Sequence, residues 1–459
     1  MWLKSSMRAI GVKVALVTLV NNNKYHKAFY WVKGRYLSAS DITLIQAAMF
    51  KDYYHFFRQN HQFLMFGLLT AFFGNYGQSF FIAWFGDSFL SSFNLTNAEY
   101  GTVYSSATLV SGFLILWAGA LIDKISLKKF TYGVSGGLAI ACLLLYLSED
   151  LWQLVLALFL LRFCGQGLMF HIAFTSMARY FENNRGKAIG VVAFGMPLGE
   201  AILPALAVTL ISTLGWRETW LVLGVFLLVV FWPIMNFLLN RSQDRLSLYD
   251  ETVSAQPNET KAQWSRNDVI KDYRFWVLIP VVVAPAFIVT GIFIHQGILL
   301  STKGWSEQWF ALCFTIYAFS HLKSSLIIGS MVDKYSGQAM ILYYLLPMLL
   351  GIVCLALPFS QSYWALAFMF LTGLTIGAAG PVVGSMWVEI YGNKNIGAIR
   401  SMVTSIMVVS TAISPILFGW LFDSDHSYQQ VMNYLIGYIV VAILLMKIFV
   451  LNTRKSTEA

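Results

Sequence analysis

Twelve apolar stretches run through this 459-residue chain from residue 63 onward, and they constrain its fold more than any other feature. A helix needs about 20 apolar residues to cross the hydrocarbon core of a bilayer. With 58% hydrophobic and only 12% charged residues, a soluble fold of this size could not hide its apolar surface. We therefore predict an all-α membrane protein with twelve transmembrane helices. We number them spans 1 to 12, at 63–86, 100–122, 130–147, 152–177, 187–211, 216–239, 275–300, 307–331, 338–358, 363–388, 396–421 and 431–451.

The basic residues predict which side of the membrane each loop faces. If the N-terminus is inside, the inner loops and ends from residue 49 onward hold nineteen Lys and Arg residues, against Arg217 and Lys303 in the outer loops. Lys and Arg accumulate in cytoplasmic loops. We expect a multi-pass protein of the inner (plasma) membrane with both termini cytoplasmic. The net charge of +9 then reflects topology, so no nucleic-acid partner is expected.

Polar segments divide the spans into two groups of six. We predict a cytoplasmic N-terminal segment (1–62), a six-helix bundle (63–239), a cytoplasmic linker (240–274), a second bundle (275–452) and a cytoplasmic tail (453–459). Residues 1–48 carry seven basic residues and one acid. They are either a surface-lying anchor or, as we favour, an extension upstream of a protein that begins at Met49. The linker is either regulatory or, as we favour, a solvated connection.

An internal repeat relates the two bundles. A shift of 210 residues places Gly119-Ala-Leu-Ile-Asp-Lys124 on Gly329-Ser-Met-Val-Asp-Lys334. Two six-helix repeats are typical of a transporter whose halves rock about a central site. The repeat therefore predicts two pseudo-symmetric six-helix bundles with a site between them.

These matched loops resemble a known family signature. Gly119-x-x-x-Asp123-Lys124, followed by two lysines, resembles the loop 2–3 signature of the major facilitator superfamily, although the second copy has Gln338 where a basic residue is usual. Arg162 followed by Gly165-Gln-Gly167 is similar to the helix 4 motif of the family. The resemblance covers residues 63–451. It implies the major facilitator fold, in which helices 1, 4, 7 and 10 line the cavity.

Within the superfamily, the segment from Met177 to Gly190 resembles the helix 4–5 loop of monocarboxylate and oxalate/formate carriers. That branch often has an Asp and an Arg four residues apart on helix 8, where this chain has His321 and Ser325. The sequence Gly195-Met-Pro-Leu-Gly-Glu200 is not the helix 5 pattern of drug/proton antiporters. The resemblance therefore favours the carboxylate branch over a drug carrier.

The loop signatures predict a gate at the inner side. Asp123 can accept hydrogen bonds from the N-terminus of the next helix, and Arg179 is its expected cationic partner. Such a latch would stabilise the outward-open state; the alternative is a plain topology anchor. The expected gating residues are Gly119, Asp123, Lys124, Arg179, Gly329, Asp333 and Lys334.

Few ionisable residues fall at membrane depth, where they usually mark a pathway or a partner. Arg162 and Glu200 each lie about 20 Å from the inner end of their helices at 1.5 Å per residue. We expect them to form an ion pair, either responsive to substrate or protons or purely structural. Lys323 is expected to bind an anionic substrate or to reach Glu200, the alternative being that it snorkels toward the headgroups.

Uncharged and histidine side chains complete the candidate site. Helical spacing places His321 and Ser325 on one face, with Lys323 pointing away, and places Gln166 on the face of Arg162. The remaining substrate or coupling candidates are Asn75, Tyr76, Gln78, His295 and Gln296. Each of these has packing as its alternative role.

The sequence therefore predicts a monomeric secondary active transporter, not an enzyme. It would move a small organic solute, an anion such as a carboxylate, by rocker-switch alternating access and in symport with a proton. No Gly-x-x-x-x-Gly-Lys-Ser/Thr motif occurs, and the scattered histidines form no metal or catalytic cluster, so no cofactor or metal is expected. The alternatives are an efflux carrier for drug-like or siderophore-like compounds and a non-transporting sensor.

Overall fold

The computed structural model describes residues 14–15, 31–32, 35–36, 39–181, 184–242, 266–392 and 396–458. The chain forms two compact units, Met1–Leu64 and Met65–Ala459. The interpretations of residues 1–48 and of the linker fall mostly on residues outside the described ranges. Division at residues 63, 240 and 275 thus stays a prediction.

The first unit holds a small antiparallel sheet and the start of a long helix, Ala39–Gly74. The strands are β1 (Val14–Ala15), β2 (Trp31–Val32) and β3 (Arg35–Tyr36), in the order β1-β2-β3. Val14 lies opposite Val32, and Trp31 lies opposite Tyr36. These two-residue strands are outside the predicted spans.

In the second unit the described residues form helices joined by turns. Spans 1 to 6 consist of the helices Ala39–Gly74, Asn75–Gly77, Ser79–Ile82, Ala83–Phe85 and Gly86–Phe93 (span 1), Asn97–Ala118 and Gly119–Asp123 (span 2), Leu127–Leu147 (span 3), Leu151–Leu160, Leu161–Met169 and Phe170–Tyr180 (span 4), Arg185–Val192 and Gly195–Leu214 (span 5), and Trp216–Phe226, Leu227–Phe231 and Trp232–Asn240 (span 6).

Spans 7 to 12 repeat the arrangement after the short helix Arg266–Lys271. They consist of the helices Tyr273–Ile294 and Gln296–Lys303 (span 7), Glu307–Tyr335 (span 8), Gly337–Met340 and Leu346–Ala356 (span 9), Tyr363–Tyr391 (span 10), Ile396–Asp423 (span 11) and Tyr428–Glu458 (span 12).

Nine helices of the described residues are long and apolar enough to cross a membrane, and they correspond to spans 3 to 8 and 10 to 12. Span 1 is broken in its middle, span 2 is the 22-residue helix Asn97–Ala118, and span 9 contains the short apolar helix Leu346–Ala356. The predicted all-α membrane class with a helix at each of the twelve predicted positions is confirmed. Large apolar side chains such as Trp117 and Val229 stay exposed, as expected where lipid replaces water.

Polar caps and glycines set the turns between spans. Thr96 and Glu99 form a capping box at the start of span 2, and Ser306 accepts a hydrogen bond from the Trp309 N–H at the start of span 8. Gly215, between spans 5 and 6, has φ = 97°, which L side chains rarely adopt. These turns are therefore short and bring successive spans back antiparallel.

Candidate functional site

Spans 1 and 4 cross at two glycines in the middle of the bundle. Span 1 leaves the α-helix at Asn75–Gly77, and span 4 has a π-helical segment at Leu161–Met169. A Cβ atom on Gly165 would lie 2.7 Å from the Gly77 nitrogen, so only glycine allows this approach. Irregular backbone at membrane depth is tolerated where protein groups satisfy it, and π-helical segments occur often at functional sites.

Arg162 lies at this crossing with its guanidinium buried and its side chain 1% exposed. Its Nη1 donates to the Gly77 carbonyl at 2.9 Å, and its Nε donates to Thr108 Oγ1 of span 2 at 3.0 Å. The guanidinium also lies 5.0 Å from the ring centre of Tyr104. All three partners are neutral, and no described carboxylate lies within 4.0 Å. The break in span 1 thus supplies a backbone acceptor for the guanidinium.

The predicted Arg162–Glu200 ion pair is wrong. Glu200 of span 5, 1% exposed, accepts from His321 Nδ1 of span 8 at 2.9 Å between Nδ1 and Oε2. Depth along each helix places Arg162 and Glu200 at one level, but it carries no information about the direction in which a side chain points. Because spans 5 and 8 belong to different bundles, this pair joins the two halves of the molecule.

Lys323 does not reach Glu200 either. It is exposed on span 8, and its ammonium lies 5.0 Å from the ring centre of Phe319, which is itself 54% exposed. Leu326, one turn further, is 61% exposed on the same face. As the two-residue spacing predicts, this face is opposite to that of His321. The surrounding apolar side chains favour the snorkelling alternative for Lys323.

The polar residues of span 1 point in different directions. Asn75 Nδ2 donates to the Gly195 carbonyl of span 5 at 3.1 Å, and Asn75 packs against Gly199. Tyr76 is buried in an aromatic cluster with Phe73 and with Phe81. Asn75 therefore joins spans 1 and 5, and the Tyr76 ring packs.

The two glutamines near Arg162 are less enclosed. Gln78 follows the short helix Asn75–Gly77 in extended backbone (φ −79°, ψ 147°), and its side chain is half-buried. Gln166 is also half-buried, and its backbone nitrogen lies against Gly77. Both side chains remain candidates for contact with a solute beside Arg162.

Span 7 bends at the predicted outer pair of His295 and Gln296. The helix Tyr273–Ile294 ends at His295, whose Nε2 lies 3.0 Å from the Pro415 carbonyl of span 11. His295 is 4% and Gln296 3% exposed. His295 therefore joins spans 7 and 11 within the second bundle.

The two halves are in close contact at the predicted outer side. A Cβ atom on Gly101 of span 2 would overlap the Pro415 carbonyl of span 11, and one on Gly419 would overlap the Asn97 carbonyl. Asp423, at the end of span 11, accepts from the Ala98 N–H at 2.7 Å and the Asn97 N–H at 3.3 Å. A carboxylate at a helix N-terminus is stabilised by the unpaired N–H groups and the helix dipole. The two halves are thus closed against each other at this end.

Span 10 packs closely against span 8 along part of its length and leaves some glycines uncovered. Gly373 and Gly377 of span 10 contact span 8 so closely that no Cβ would fit, yet Gly380, on the same helix face, has no atom within 4 Å of a Cβ position. Gly329 of span 8 is equally open. Gly329 and Gly380 are therefore uncovered positions on spans 8 and 10 of the second bundle.

The inner loop of the first bundle is held by span 4. Arg179 Nη1 donates to the Ile122 carbonyl at 3.0 Å, and His171 Nε2 lies 3.0 Å from the Gly119 carbonyl. The predicted Asp123–Arg179 contact falls on a side chain outside the described part, as does that of Asp333. Lys124 and Lys334 are exposed, the latter 4.7 Å from the Tyr335 ring centre.

Sequence reasoning missed several residues of these contacts. Thr108 and Tyr104 of span 2 lie four residues apart, and this spacing is the signal that could have placed both beside Arg162. Asp423 could have been found as an acid at the last residue of a span. The partner of His171 depends on a loop, which helical spacing does not predict.

Apolar helices of membrane-spanning length packed around buried polar groups are typical of a membrane transporter. The model of the Major Facilitator Superfamily matches residues 64–319 and 281–459. The chain belongs to this superfamily, and the predicted fold class is confirmed.

Curated relatives lie in the branch that the sequence suggested. The chain is 25% identical to monocarboxylate transporter 13 of Rattus norvegicus over 371 residues, which is 80% of this chain and 81% of the relative. It is 24% identical to monocarboxylate transporter 2 of Homo sapiens over 374 residues, 75% of this chain and 77% of the relative. Similarity to the monocarboxylate branch is confirmed, and relatives and family alike are transporters.

Solved structures share the fold at low sequence identity. A mutant of the nucleoside transporter NupG aligns with a TM-score of 0.64 at 13% identity, covering 84% of this chain and 99% of its own. A bacterial homologue of the human lysosomal transporter Spinster, described as inward-facing and occupied, aligns with a TM-score of 0.61 at 13% identity over 84% and 95% of the two chains.

Proposed function

We propose that this transporter moves a small organic anion, such as a monocarboxylate, across the inner (plasma) membrane. The observation that carries the proposal is the buried guanidinium of Arg162, which has only neutral partners among the described residues. A buried charge is costly unless it is compensated. A carboxylate can compensate it through charge-assisted, often bidentate, hydrogen bonds. The relatives named as monocarboxylate transporters support the same class.

Transport would proceed by rocker-switch alternating access of the single chain. The outer-closed arrangement at spans 2 and 11 supports one end state, and the internal repeat supports its mirror image. Each half supplies contacts to the other, so the monomer suffices as the working unit. The loop signatures at Gly119–Lys124 and Gly329–Lys334 would stabilise the outward-open state, and the positive-inside rule places both termini in the cytoplasm.

Proton symport follows from the charge of the solute. Moving one negative charge into a cell against an inside-negative potential costs about 2.3 kcal/mol per 100 mV. Taking one proton with each monoanion makes the movement electrically neutral. We therefore propose symport of the anion with a proton.

Ligand-dependent thermal stability tests the anion proposal. Purified protein is heated with pyruvate, lactate, a sugar, an amine and a lipophilic cation, for wild type, Arg162→Gln and Lys323→Gln. A ligand at about one hundred times its Kd stabilises the folded state by about 2.7 kcal/mol. We expect a carboxylate to raise the Tm of wild type and of Lys323→Gln, and to leave that of Arg162→Gln unchanged.

Lys323→Gln is the matched control. It also removes one cation at membrane depth, but from the face of span 8 that is opposite to His321. Arg162→Lys keeps the charge while losing the bidentate geometry, and it should bind at least tenfold more weakly. Stabilisation of wild type by amines or lipophilic cations alone would contradict the proposal and favour an efflux carrier.

A further inference from the structure

Two ionisable side chains meet across the boundary between the bundles at Glu200 and His321. The two bundles are internal repeats of one chain that move against each other in the proposed mechanism. Contacts between the bundles are therefore the ones that must break when the halves rock. The pair lies near the middle of both helices, and its side chains are 1% (Glu200) and 15% (His321) exposed. A titratable pair at a moving boundary can link protonation to the movement.

The charge of the pair depends on one proton. With a neutral imidazole the pair carries the full negative charge of Glu200, and with an imidazolium it is neutral overall. The second carboxylate oxygen, Oε1, is buried and accepts no hydrogen bond from any described residue. A buried net charge with an unsatisfied oxygen is costly, whereas a neutral ion pair is much less so. The closed arrangement of spans 5 and 8 therefore favours the protonated pair.

The surroundings supply no other charge that could take this role. Tyr317 of span 8 is the one titratable neighbour among the described residues that face the pair, with its ring centre 6.2 Å from that of His321. Span 10 contributes Gly377 against the His321 backbone, span 1 contributes the neutral Asn75, and span 7 contributes Phe293 against Tyr317. Protonation of the pair is thus the main electrostatic variable at this boundary.

We propose that Glu200 and His321 form the proton-binding site of the transporter and hold its outer side closed while the proton is bound. The pair takes one proton from the outer solution when spans 5 and 8 are apart, and the imidazolium then binds the carboxylate as the outer side closes. Release of that proton to the inner solution leaves a buried anion, which favours separation of the spans. The inference rests on the proposed symport and assigns its proton to these residues.

Distances between the outer ends of the two bundles test this assignment without any substrate. Spin labels are attached to Ser212→Cys at the exposed outer end of span 5 and to Ser301→Cys at that of span 7, in a chain whose native cysteines are replaced. Pulsed electron paramagnetic resonance then gives the outer-closed fraction between about pH 5 and about pH 8, the range in which histidines titrate. We expect this fraction to fall severalfold as the pH rises.

The variants separate the pair from other titrating groups. His321→Gln can still donate to Glu200 but cannot take up the proton, and Glu200→Gln removes the carboxylate; both should lose the fall with pH. Lys323→Gln is the matched control and should keep the wild-type profile. The double variant Glu200→Gln/His321→Gln is neutral at every pH and should stay closed throughout. It provides the test if either single variant folds poorly.

The proposal is overturned if the outer-closed fraction of wild type is independent of pH. It is also overturned if wild type and both single variants give identical pH profiles. The anion proposal can fail separately. If the distances respond to pH through this pair and no carboxylate stabilises the protein, the proton site stands with a different solute. If a carboxylate binds through Arg162 and the pair does not respond, the proton site is wrong.

Discussion

At the residue scale, two glycines determine the position of the buried cation. Gly77 and Gly165 bring the backbones of spans 1 and 4 together, and the break in span 1 frees the Gly77 carbonyl. Arg162 donates one hydrogen bond to that carbonyl and another to Thr108 Oγ1. A site built on backbone atoms is rigid, because it needs no flexible side chain to hold its acceptor. The geometry of the crossing is therefore part of the site.

This dependence predicts a large effect of one methyl group. Gly165→Ala places a Cβ atom 2.7 Å from the Gly77 nitrogen and 2.9 Å from its Cα, and backbone atoms cannot move aside as a side chain could. We expect a loss of about 1–3 kcal/mol in stability, the usual cost of overpacking, and weaker binding at Arg162. Thermal unfolding of the purified variant measures the first effect.

Gly380→Ala serves as its control, since a Cβ atom there meets nothing within 4 Å. Alanine is also the better helix former by about 1 kcal/mol. This variant should be as stable as wild type or slightly more so. Equal stability of Gly165→Ala and wild type would show that the crossing can relax.

At the element scale, the N-terminus of span 2 and the C-terminus of span 11 close the two halves against each other at the predicted outer side. Asp423 accepts hydrogen bonds from two backbone N–H groups that a helix start leaves without partners. The closure joins the two bundles, whereas the loop signatures at the inner side lie within one bundle each. In the proposed alternating access, this one carboxylate therefore affects the equilibrium between the two end states directly.

We predict that Asp423→Asn shifts the transporter toward its outward-open state. The amide keeps the shape but loses the charge that interacts with the helix dipole, an effect of about 0.3–1 kcal/mol at an exposed site. That corresponds to about a two- to fivefold change in the ratio of outer-closed to outer-open molecules. The labels at residues 212 and 301 report it as a longer distance.

Asp425→Asn is the matched control for this change. Asp425 is an exposed carboxylate two residues further along the same turn, with φ = 61°, a conformation that Asn adopts readily. It should leave the distance distribution unchanged. The same shift in both variants would mean that general surface charge, rather than the cap on span 2, sets the closure.

At the scale of the whole molecule, sequence patterns predicted the class of fold more completely than the contacts within it. Apolar length, basic loops and a 210-residue repeat are additive signals spread over many residues, so twelve helix positions and two bundles could be predicted. The partner of Glu200 could not, because depth along a helix gives no rotation and because spans 5 and 8 meet only through tertiary packing. For the same reason the sequence predicted Glu200 as the partner of Arg162, whereas in the structure Arg162 donates to the Gly77 carbonyl.

The contact between spans 2 and 11 and the uncovered position of Gly380, combined with the proposed orientation and alternating access, predict one-sided access to the centre of the protein. In the cysteine-free background, Gly380→Cys should react with a water-soluble maleimide severalfold faster in inside-out than in right-side-out vesicles, because no described atom covers its Cβ position. Ser105→Cys, at a position that is 0% exposed on span 2, should react slowly in both.

Adding Asp423→Asn should slow the reaction at residue 380, because a bundle pair that opens outside must close inside. Faster reaction from the outer side would contradict both the predicted orientation and the proposed outer-closed state. An unchanged rate with Asp423→Asn would instead show that opening at one side is not coupled to closing at the other. That result would argue against a rocking motion of rigid halves.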